Sequence, residues 1–287
     1  MAAPAPFRFV LCADDYALSP AVSAGILAAL AAGALTATGV MTTRPSWPAA
    51  ARALDPFREH ADIGLHFNLT LGAPLGPAPQ LAPDGVFPKV GAVIARALRG
   101  ALPRGEIAAE LDRQLDAFVA AAGGPPDFVD GHQHVHALPG LRDILFEALA
   151  RRGWAGRLWL RDPADRAARL LARKAMAPKA ATLAGLARGF GAAARRAGFS
   201  VNDGFAGFSD FAVDRDYAAL FATFLRAPGP RHLVMCHPGR VDDELVALDP
   251  VTTGRERELG FLLSPDFARV CAAAGAAPAR FAAAGQG

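Results

Sequence analysis

Two adjacent carboxylates, Asp14 and Asp15, end an apolar run at residues 7–13, and this junction constrains the fold more than any other feature of the chain. The run reads as a buried strand, where unpaired charge is costly, so other groups must compensate the two acids. Three later β-like runs end in histidines, at residues 62–66, 128–136 and 232–237. In barrels of alternating strands and helices, the carboxyl ends of the strands share one mouth. The pattern therefore predicts an α/β barrel that gathers these residues.

Helical patterns separate the predicted strands. Ser19 followed by Pro20 predicts an N-cap and a first helical residue, and Val22, Ile26 and Leu30 then form one buried stripe. Further strands are predicted at residues 36–42, 62–69, 128–130, 156–161 and 231–236. Further helices are predicted at residues 47–54, 106–121, 141–151 and 265–274. A single barrel domain over residues 1–287 is the expected organisation for this length.

Two segments interrupt this alternation. Residues 72–88 are rich in proline and glycine and predict a long irregular loop, which is a frequent form of binding loop. Residues 163–198 are rich in Ala and Arg and predict one or two helices inserted into the repeating pattern. A solvated amphipathic cover is favoured for this insertion over a surface for a membrane or an acidic partner.

The composition excludes several functional classes. The balance of 30 Lys+Arg against 27 Asp+Glu gives a net charge of only +3, too even for nucleic-acid binding as the main task. The three cysteines form no C-x-x-C pair, which argues against a disulfide framework or zinc knuckle and fits a reducing cytoplasm. The apolar stretch at residues 21–41 is broken by polar and glycine residues, so we expect no membrane span and no secretion signal. A cytoplasmic location follows. The sequence leaves the oligomeric state open, with a homodimer as one option.

The two acids can divide their roles. Successive side chains of an extended strand point to opposite sides, but this geometry relaxes at a strand end. One of Asp14 and Asp15 could then bind a metal while the other faces a substrate water. The alternative interpretation is a surface turn or a helix cap close to Ser19.

The histidines favour the metal interpretation. His132, His134 and His136 alternate after Asp130, so they would line one side of an extended segment, while His132 and His136 would share a face of a helical one. Neutral imidazole together with a carboxylate suits divalent ions. His66 and Asn68 share one face of a predicted strand. A lone histidine on such a face is more often a buried core residue than a metal ligand.

Two further strand ends carry candidate groups. His237 precedes a tight turn, which suits a proton donor or a hydrogen bond to the turn backbone. Arg161 and Asp162 could form an ion pair, orient a neighbour or touch substrate.

Four blocks in this order resemble the YdjC-like or ChbG-like carbohydrate deacetylase family: residues 13–19 with 35–38, 64–70, 130–136 and 235–239. The resemblance covers most of the chain. It implies a distorted (β/α) TIM-like barrel of the glycoside hydrolase/deacetylase type that removes acetyl groups from N-acetylated sugars such as chitooligosaccharides. One departure is Tyr16-Ala17, where the family usually has Phe-Gly; losing glycine restricts the backbone and predicts a differently shaped loop.

Carried over by position, the resemblance makes Asp15, His66 and His132 the ligands of one divalent metal ion, Mg or Zn first and Mn or Co as alternatives. It makes Asp14 the catalytic base and His237 a candidate general acid. Substrate contacts are assigned to Asn68, Arg161, His134 and His136.

Two competing functions remain open. The same metal site could hydrolyse a phosphoester or a cyclic amide, since Asp and His ligands serve those reactions too. The fold could also serve a sugar-binding protein without turnover.

Overall fold

Nine parallel strands form one sheet in the computed structural model, which describes residues 6–174, 176–211, 216–282 and 284. The strands are β1 (Phe7–Tyr16), β2 (Ala37–Val40), β3 (Asp62–Phe67), β4 (Phe128–Gly131), β5 (Trp159–Leu160), β6 (Ser200–Val201), β7 (Phe205–Ala206), β8 (His232–Cys236) and β9 (Ala276–Pro278). Their order is β6-β5-β4-β3-β2-β1-β8-β7, and β9 pairs with β1. Within the described ranges no ladder joins β6 to β7. The predicted distorted (β/α) barrel is thus present as a curled, incompletely closed sheet.

Helices cover this sheet and bury its strands. They are α1 (Pro20–Ala31), α2 (Trp47–Ala50), α3 (Val90–Leu98), α4 (Arg104–Ala122), α5 (Leu141–Arg151), α6 (Ala167–Arg173), α7 (Ala177–Leu186), α8 (Phe190–Arg196), α9 (Tyr217–Phe224), α10 (Asp243–Leu248), α11 (Thr253–Leu262) and α12 (Pro265–Ala273). Two 3₁₀ segments lie at Ala51–Phe57 and His132–Ala137. Because helices flank a parallel sheet, its strands read as continuous apolar runs rather than as alternating patterns.

The start of α1 agrees with its sequence signature. The Ser19 hydroxyl accepts a hydrogen bond from the Val22 amide at 3.2 Å, and Pro20 is the first helical residue. The predicted stripe of Val22, Ile26 and Leu30 is buried. Local cap chemistry and the spacing of apolar residues therefore define this helix.

The long helix α4 fixes the irregular loop at residues 72–88. Its apolar face is buried, and Phe118 on that face stacks on Trp47 with ring centroids 5.6 Å apart. Its polar side carries Glu110, which accepts from the Leu75 amide, and Glu106, which accepts from the Gln80 amide. Two carboxylates of α4 therefore fix the backbone of this loop. No side chain of the loop lines the cavity that contains Asp14 and Asp15.

Several element boundaries differ from the predictions. β1 continues through the acid pair to Tyr16, so Asp14 and Asp15 lie inside the strand. The strand predicted at residues 156–161 is reduced to Trp159–Leu160. The helix predicted at residues 47–54 is α2 followed by a 3₁₀ segment, and helices α3, α9, α10 and α11 were not predicted.

The Ala/Arg-rich insertion forms the crossover between β5 and β6. It contains three helices, α6, α7 and α8, rather than one or two. Leu170 and Leu183 pack against a buried cluster that includes Trp159 and Phe205. The insertion is thus anchored to the barrel and is more than a solvated cover.

The apolar stretch near α1 raised the question of a membrane span. Among the described residues, none of the helices combines the length and the apolar character needed to cross a bilayer.

Candidate functional site

A distortion at the end of β1 brings both acids of the pair into one cavity. The pairing of β1 with β2 shifts register between Ala13 and Tyr16, and Asp15 adopts a left-handed conformation with φ of 70°. In a regular strand the two side chains would point to opposite sides. Here Asp14 and Asp15 both line the same cavity.

Asp15 meets two histidines from distant segments. Its Oδ1 atom lies 3.0 Å from His132 Nδ1 and 3.4 Å from His66 Nε2. One ligand atom from each of the three buried residues lies within 4.8 Å of the others. A single cation can bridge groups at these separations, so the expected convergence of Asp15, His66 and His132 is present.

Asp130 fixes the orientation of His66. Its Oδ1 atom lies 2.7 Å from His66 Nδ1, which leaves Nε2 facing Asp15. Carboxylates commonly hold metal-binding histidines in this way. Gly39 of β2 makes room for the pair, because a Cβ there would lie 3.1 Å from His66 Nδ1 and 3.2 Å from Asp130 Oδ1. Burial opposes protonation of His66, but the surrounding carboxylates prevail and raise its pKa to about 10, so a cation at Nε2 would have to displace a proton.

Arg255 of α11 holds the second oxygen of Asp15. Its Nη2 atom donates to Asp15 Oδ2 and to Asp249 Oδ2, each at 2.7 Å. Burial alone would raise the pKa of Asp15, but Arg255 and His132 hold it well below its usual range. Asp15 is therefore an ionised carboxylate whose Oδ1 faces the two imidazoles. Arg255 could not be predicted as a site residue, since nothing in its local sequence marks it.

Arg161 occupies the space behind Asp14. Its guanidinium donates to both carboxylate oxygens at 2.7 and 2.6 Å, and it pairs with Asp130 and with the Cys12 thiol. Ligand atoms of Cys12, Asp14 and Asp130 also lie close enough together to hold a metal ion. The Arg161 guanidinium contacts all three and occupies the space between them. Burial acts to raise the pKa of Asp14, yet Arg161 outweighs it and holds that pKa far below the ordinary value.

The three alternate histidines do not share one side of an extended segment. The segment turns after His132, with Gln133 and His134 both left-handed at φ of 52° and 59°. His134 lines the cavity and contacts Phe205 and Phe208 edge-on. His136 points away, and its Nε2 lies 2.8 Å from the Arg161 carbonyl. Burial lowers the pKa of His136 to about 4, so it is a neutral donor there.

His237 directly follows β8, which pairs with β1 on the side away from β5, the strand that precedes Arg161. Its Nε2 atom is 3.9 Å from Asp14 Oδ2, and its backbone amide donates to Glu258 Oε2 at 2.6 Å. Burial lowers the pKa of His237 to about 4, which outweighs the opposing effect of Asp14. The ring is therefore neutral near pH 7. Burial also raises the pKa of Glu258 to about 7.

Three of the four residues expected to touch substrate lie outside the cavity lining. Asn68 is fully buried and uses its amide on Thr43, Leu71 and Thr70, which shapes the turn after β3. Arg161 and His136 are buried beneath the acid pair. Only His134 of the expected set lines the cavity. The reason is that each of the other three satisfies buried groups of the protein itself.

The cavity has a volume of about 620 Å³. It contains the side chains of Asp14, Asp15, His66, His132 and His237. One wall comes from α7 of the insertion, which supplies Lys179, Thr182, Leu183 and Leu186. The sequence offered no motif there, although the helical spacing of these four positions was readable.

The donor set fits a divalent cation. Asp15 offers a carboxylate oxygen, while His66 and His132 offer imidazole nitrogens, and all three side chains are buried. Three protein ligands with room for additional ones are typical of catalytic metal sites. The structure thus brings together a candidate metal site of Asp15, His66 and His132.

The chain is similar to proteins of one known family and to curated carbohydrate deacetylases. A family model described as YdjC-like protein matches residues 8–273. A carbohydrate deacetylase from Mus musculus is 37% identical over 180 residues, covering 55% of each protein. A chitooligosaccharide deacetylase from Enterobacter sp. (strain 638) is 38% identical over 146 residues, covering 51% of this chain and 57% of the relative. The chain therefore spans little more than half the length of these curated relatives.

A solved structure supports the fold. The crystal structure of a candidate cellobiose-phosphate cleavage protein from Enterococcus faecalis V583 superposes with a TM-score of 0.73 at 21% identity. The match covers 97% of this chain and 99% of that protein. The curled barrel is thus a known architecture.

Proposed function

The chain belongs to the YdjC-like family, and from that premise we propose that it is a metal-dependent hydrolase that removes the acetyl group from an N-acetylated sugar. The observation that carries this proposal is the convergence of Asp15, His66 and His132 in a cavity that also contains Asp14 and His237. The names of the relatives, carbohydrate deacetylase and chitooligosaccharide deacetylase, support the substrate class.

Asp15, His66 and His132 would hold the cation. When bound, a divalent metal polarises the acetyl carbonyl and lowers the pKa of water. Two imidazoles with one carboxylate favour Zn²⁺ or Co²⁺ over Mg²⁺, which prefers oxygen ligands. Arg255 keeps Oδ2 of Asp15 engaged, so Oδ1 is the oxygen left for a metal.

Asp14 and His237 would handle the protons. Asp14 is ionised and lines the cavity, so it can accept a proton from the attacking water. Arg161 fixes its orientation, while the neutral His237 ring lies close enough to Asp14 to take up a proton after a small shift. Protonated His237 could then deliver that proton to the departing sugar nitrogen, which would give acetate and a free amino sugar.

An acetate-release assay on acetylated mono- and disaccharides tests the proposal. The metal-loaded protein should release acetate, and Asp14→Asn should reduce turnover at least about 10²-fold with unchanged metal content. Asp84→Asn, at an exposed position of the loop, is the matched control. Phosphate release from sugar phosphates without acetate release would favour a phosphoesterase, and binding of sugars without any turnover would favour a sugar-binding protein.

A further inference from the structure

One face of α7 lines the cavity of the proposed active site. Lys179, Thr182, Leu183 and Leu186 are spaced at i, i+3, i+4 and i+7, which places them on one side of the helix. Leu183 and Leu186 are half-buried, so part of each side chain still faces the cavity. The crossover between β5 and β6 therefore contributes two leucines, beside Lys179 and Thr182, to the space in front of the acid–histidine site.

The apolar character continues around the cavity. Besides the two leucines of α7, the lining includes apolar side chains from five other segments: Leu71, Val90, Phe208, Met235, Leu248 and Val251. Most charged lining groups already bind one another within the site, such as Arg255 with Asp15 and Asp249. Outside that network and the acid–histidine cluster, the polar lining residues are Gln133, His134, Lys179, Thr182 and Ser209, and apolar side chains outnumber them.

This lining is a poor match for a second hydrophilic sugar. Each sugar hydroxyl buried against an apolar wall loses hydrogen bonds to water and gains none from the wall. An apolar substituent has the opposite preference, because its burial is favourable. The cavity of about 620 Å³ is large enough for a drug-sized ligand and is continuous with Asp14 and Asp15.

We infer that the acetylated sugar carries an apolar group, of the alkyl or aryl aglycone class, which packs against Leu183 and Leu186 of α7. The inference rests on the proposed deacetylase function and names the substrate class for the same site. The acetamido group would face the acid–histidine cluster while the apolar group occupies the wall formed by α7.

Matched glycosides test the inference. The rate constant kcat/KM for acetate release is measured with methyl and butyl N-acetyl-β-glucosaminides and with N,N′-diacetylchitobiose. Each buried methylene contributes up to about fourfold, so the butyl glycoside should exceed the methyl glycoside by roughly tenfold or more. It should also exceed the disaccharide. Equal rates with the methyl and butyl glycosides would overturn the inference and leave the deacetylase function standing.

Substitutions in α7 test whether Leu183 and Leu186 cause the preference for the butyl glycoside. Leu183→Ser combined with Leu186→Ser should reduce the butyl-to-methyl ratio to about twofold or less. Leu171→Ser is the matched control, because Leu171 lies in the same insertion, is 69% exposed and is not part of the cavity lining. An unchanged ratio in the folded double variant would contradict the assignment to α7.

Calorimetric binding separates the two proposals. If no glycoside releases acetate, the proposed function fails, and calorimetry with the same glycosides still tests the wall. Tighter binding of the butyl than of the methyl glycoside would support the apolar wall in that case, and equal binding would overturn it.

Discussion

Arg161 donates hydrogen bonds to both carboxylate oxygens of Asp14, from Nη1 at 2.7 Å and from Nη2 at 2.6 Å. The guanidinium is fully buried at the end of β5, and Asp14 is almost fully buried near the end of β1. This bidentate pair explains how the sheet tolerates an acid pair inside a strand. The buried acid pair predicted that other groups must compensate its charge. Two arginines do so, Arg161 for Asp14 and Arg255 for Asp15.

Arg161→Lys should keep the positive charge and lose the bidentate geometry. We expect kcat/KM for acetate release to fall roughly 10²-fold, because Asp14 is no longer held in one orientation. The acidic limb of the pH–rate profile should also move to higher pH as the pKa of Asp14 rises. Arg157→Lys, at an exposed position just before β5, is the control. A profile that matches the wild type would exclude a positioning role for Arg161.

His132→Ala should abolish stoichiometric metal binding. The variant loses one of three ligands, so metal content measured after dialysis should fall from about one equivalent to a small fraction of it. His60→Ala removes an exposed histidine far from the site in sequence and should keep full occupancy. Retention of one equivalent by folded His132→Ala would refute the ligand set.

Glu258 should make the free energy of unfolding depend on pH. Its pKa is raised to about 7 in the folded state against 4.5 for an ordinary glutamate. A raised carboxyl pKa stabilises the fold below about pH 4.5, and this contribution of roughly 3 kcal/mol is lost as pH rises through about 7. Glu258→Gln should therefore show a smaller fall in Tm between pH 5 and 8 than the wild type.

The control for this measurement is Glu256→Gln, which changes an exposed acid on the same helix. Its Tm should follow the pH dependence of the wild type. Identical pH dependence of Glu258→Gln and the wild type would show that Glu258 does not titrate with a raised pKa.

Ala17→Gly should stabilise the protein. Ala17 has a left-handed backbone with φ of 71°, a conformation that is strained for a residue with a Cβ atom. Relief of this strain, minus the greater entropy of unfolded glycine, should raise the free energy of unfolding by about 0.5–1 kcal/mol. Ala24→Gly, at an exposed site within α1, should lower it by about 1 kcal/mol. Chemical denaturation measures both, and a destabilised Ala17→Gly would contradict the strain.

Local sequence signals predicted most strands and helices and the chain segments that form the candidate metal site. Polar residues directly after apolar runs marked the strand ends as candidate sites, while the family resemblance selected Asp15, His66 and His132 as the ligands. The sequence could not predict Arg255 or the orienting role of Asp130, since these depend on which strands and helices become neighbours. The turn at Gln133 and His134 was also hidden, because two consecutive left-handed residues without glycine have no sequence signature. Asn68 and Arg161 were assigned to substrate because the sequence does not distinguish polar groups that face the cavity from those that serve the core.

The strand order also sets the sequence in which the site can be assembled. Strands β1 to β4 are consecutive both along the chain and across the sheet, and they carry Asp15 and His66 and lead directly into His132. A growing chain therefore possesses all three proposed ligands before β5, β8 and α11 have been synthesised. Arg161, His237 and Arg255 arrive only with those later elements. The proposed ligands therefore come from the first half of the chain, and the groups that surround them come from the second half.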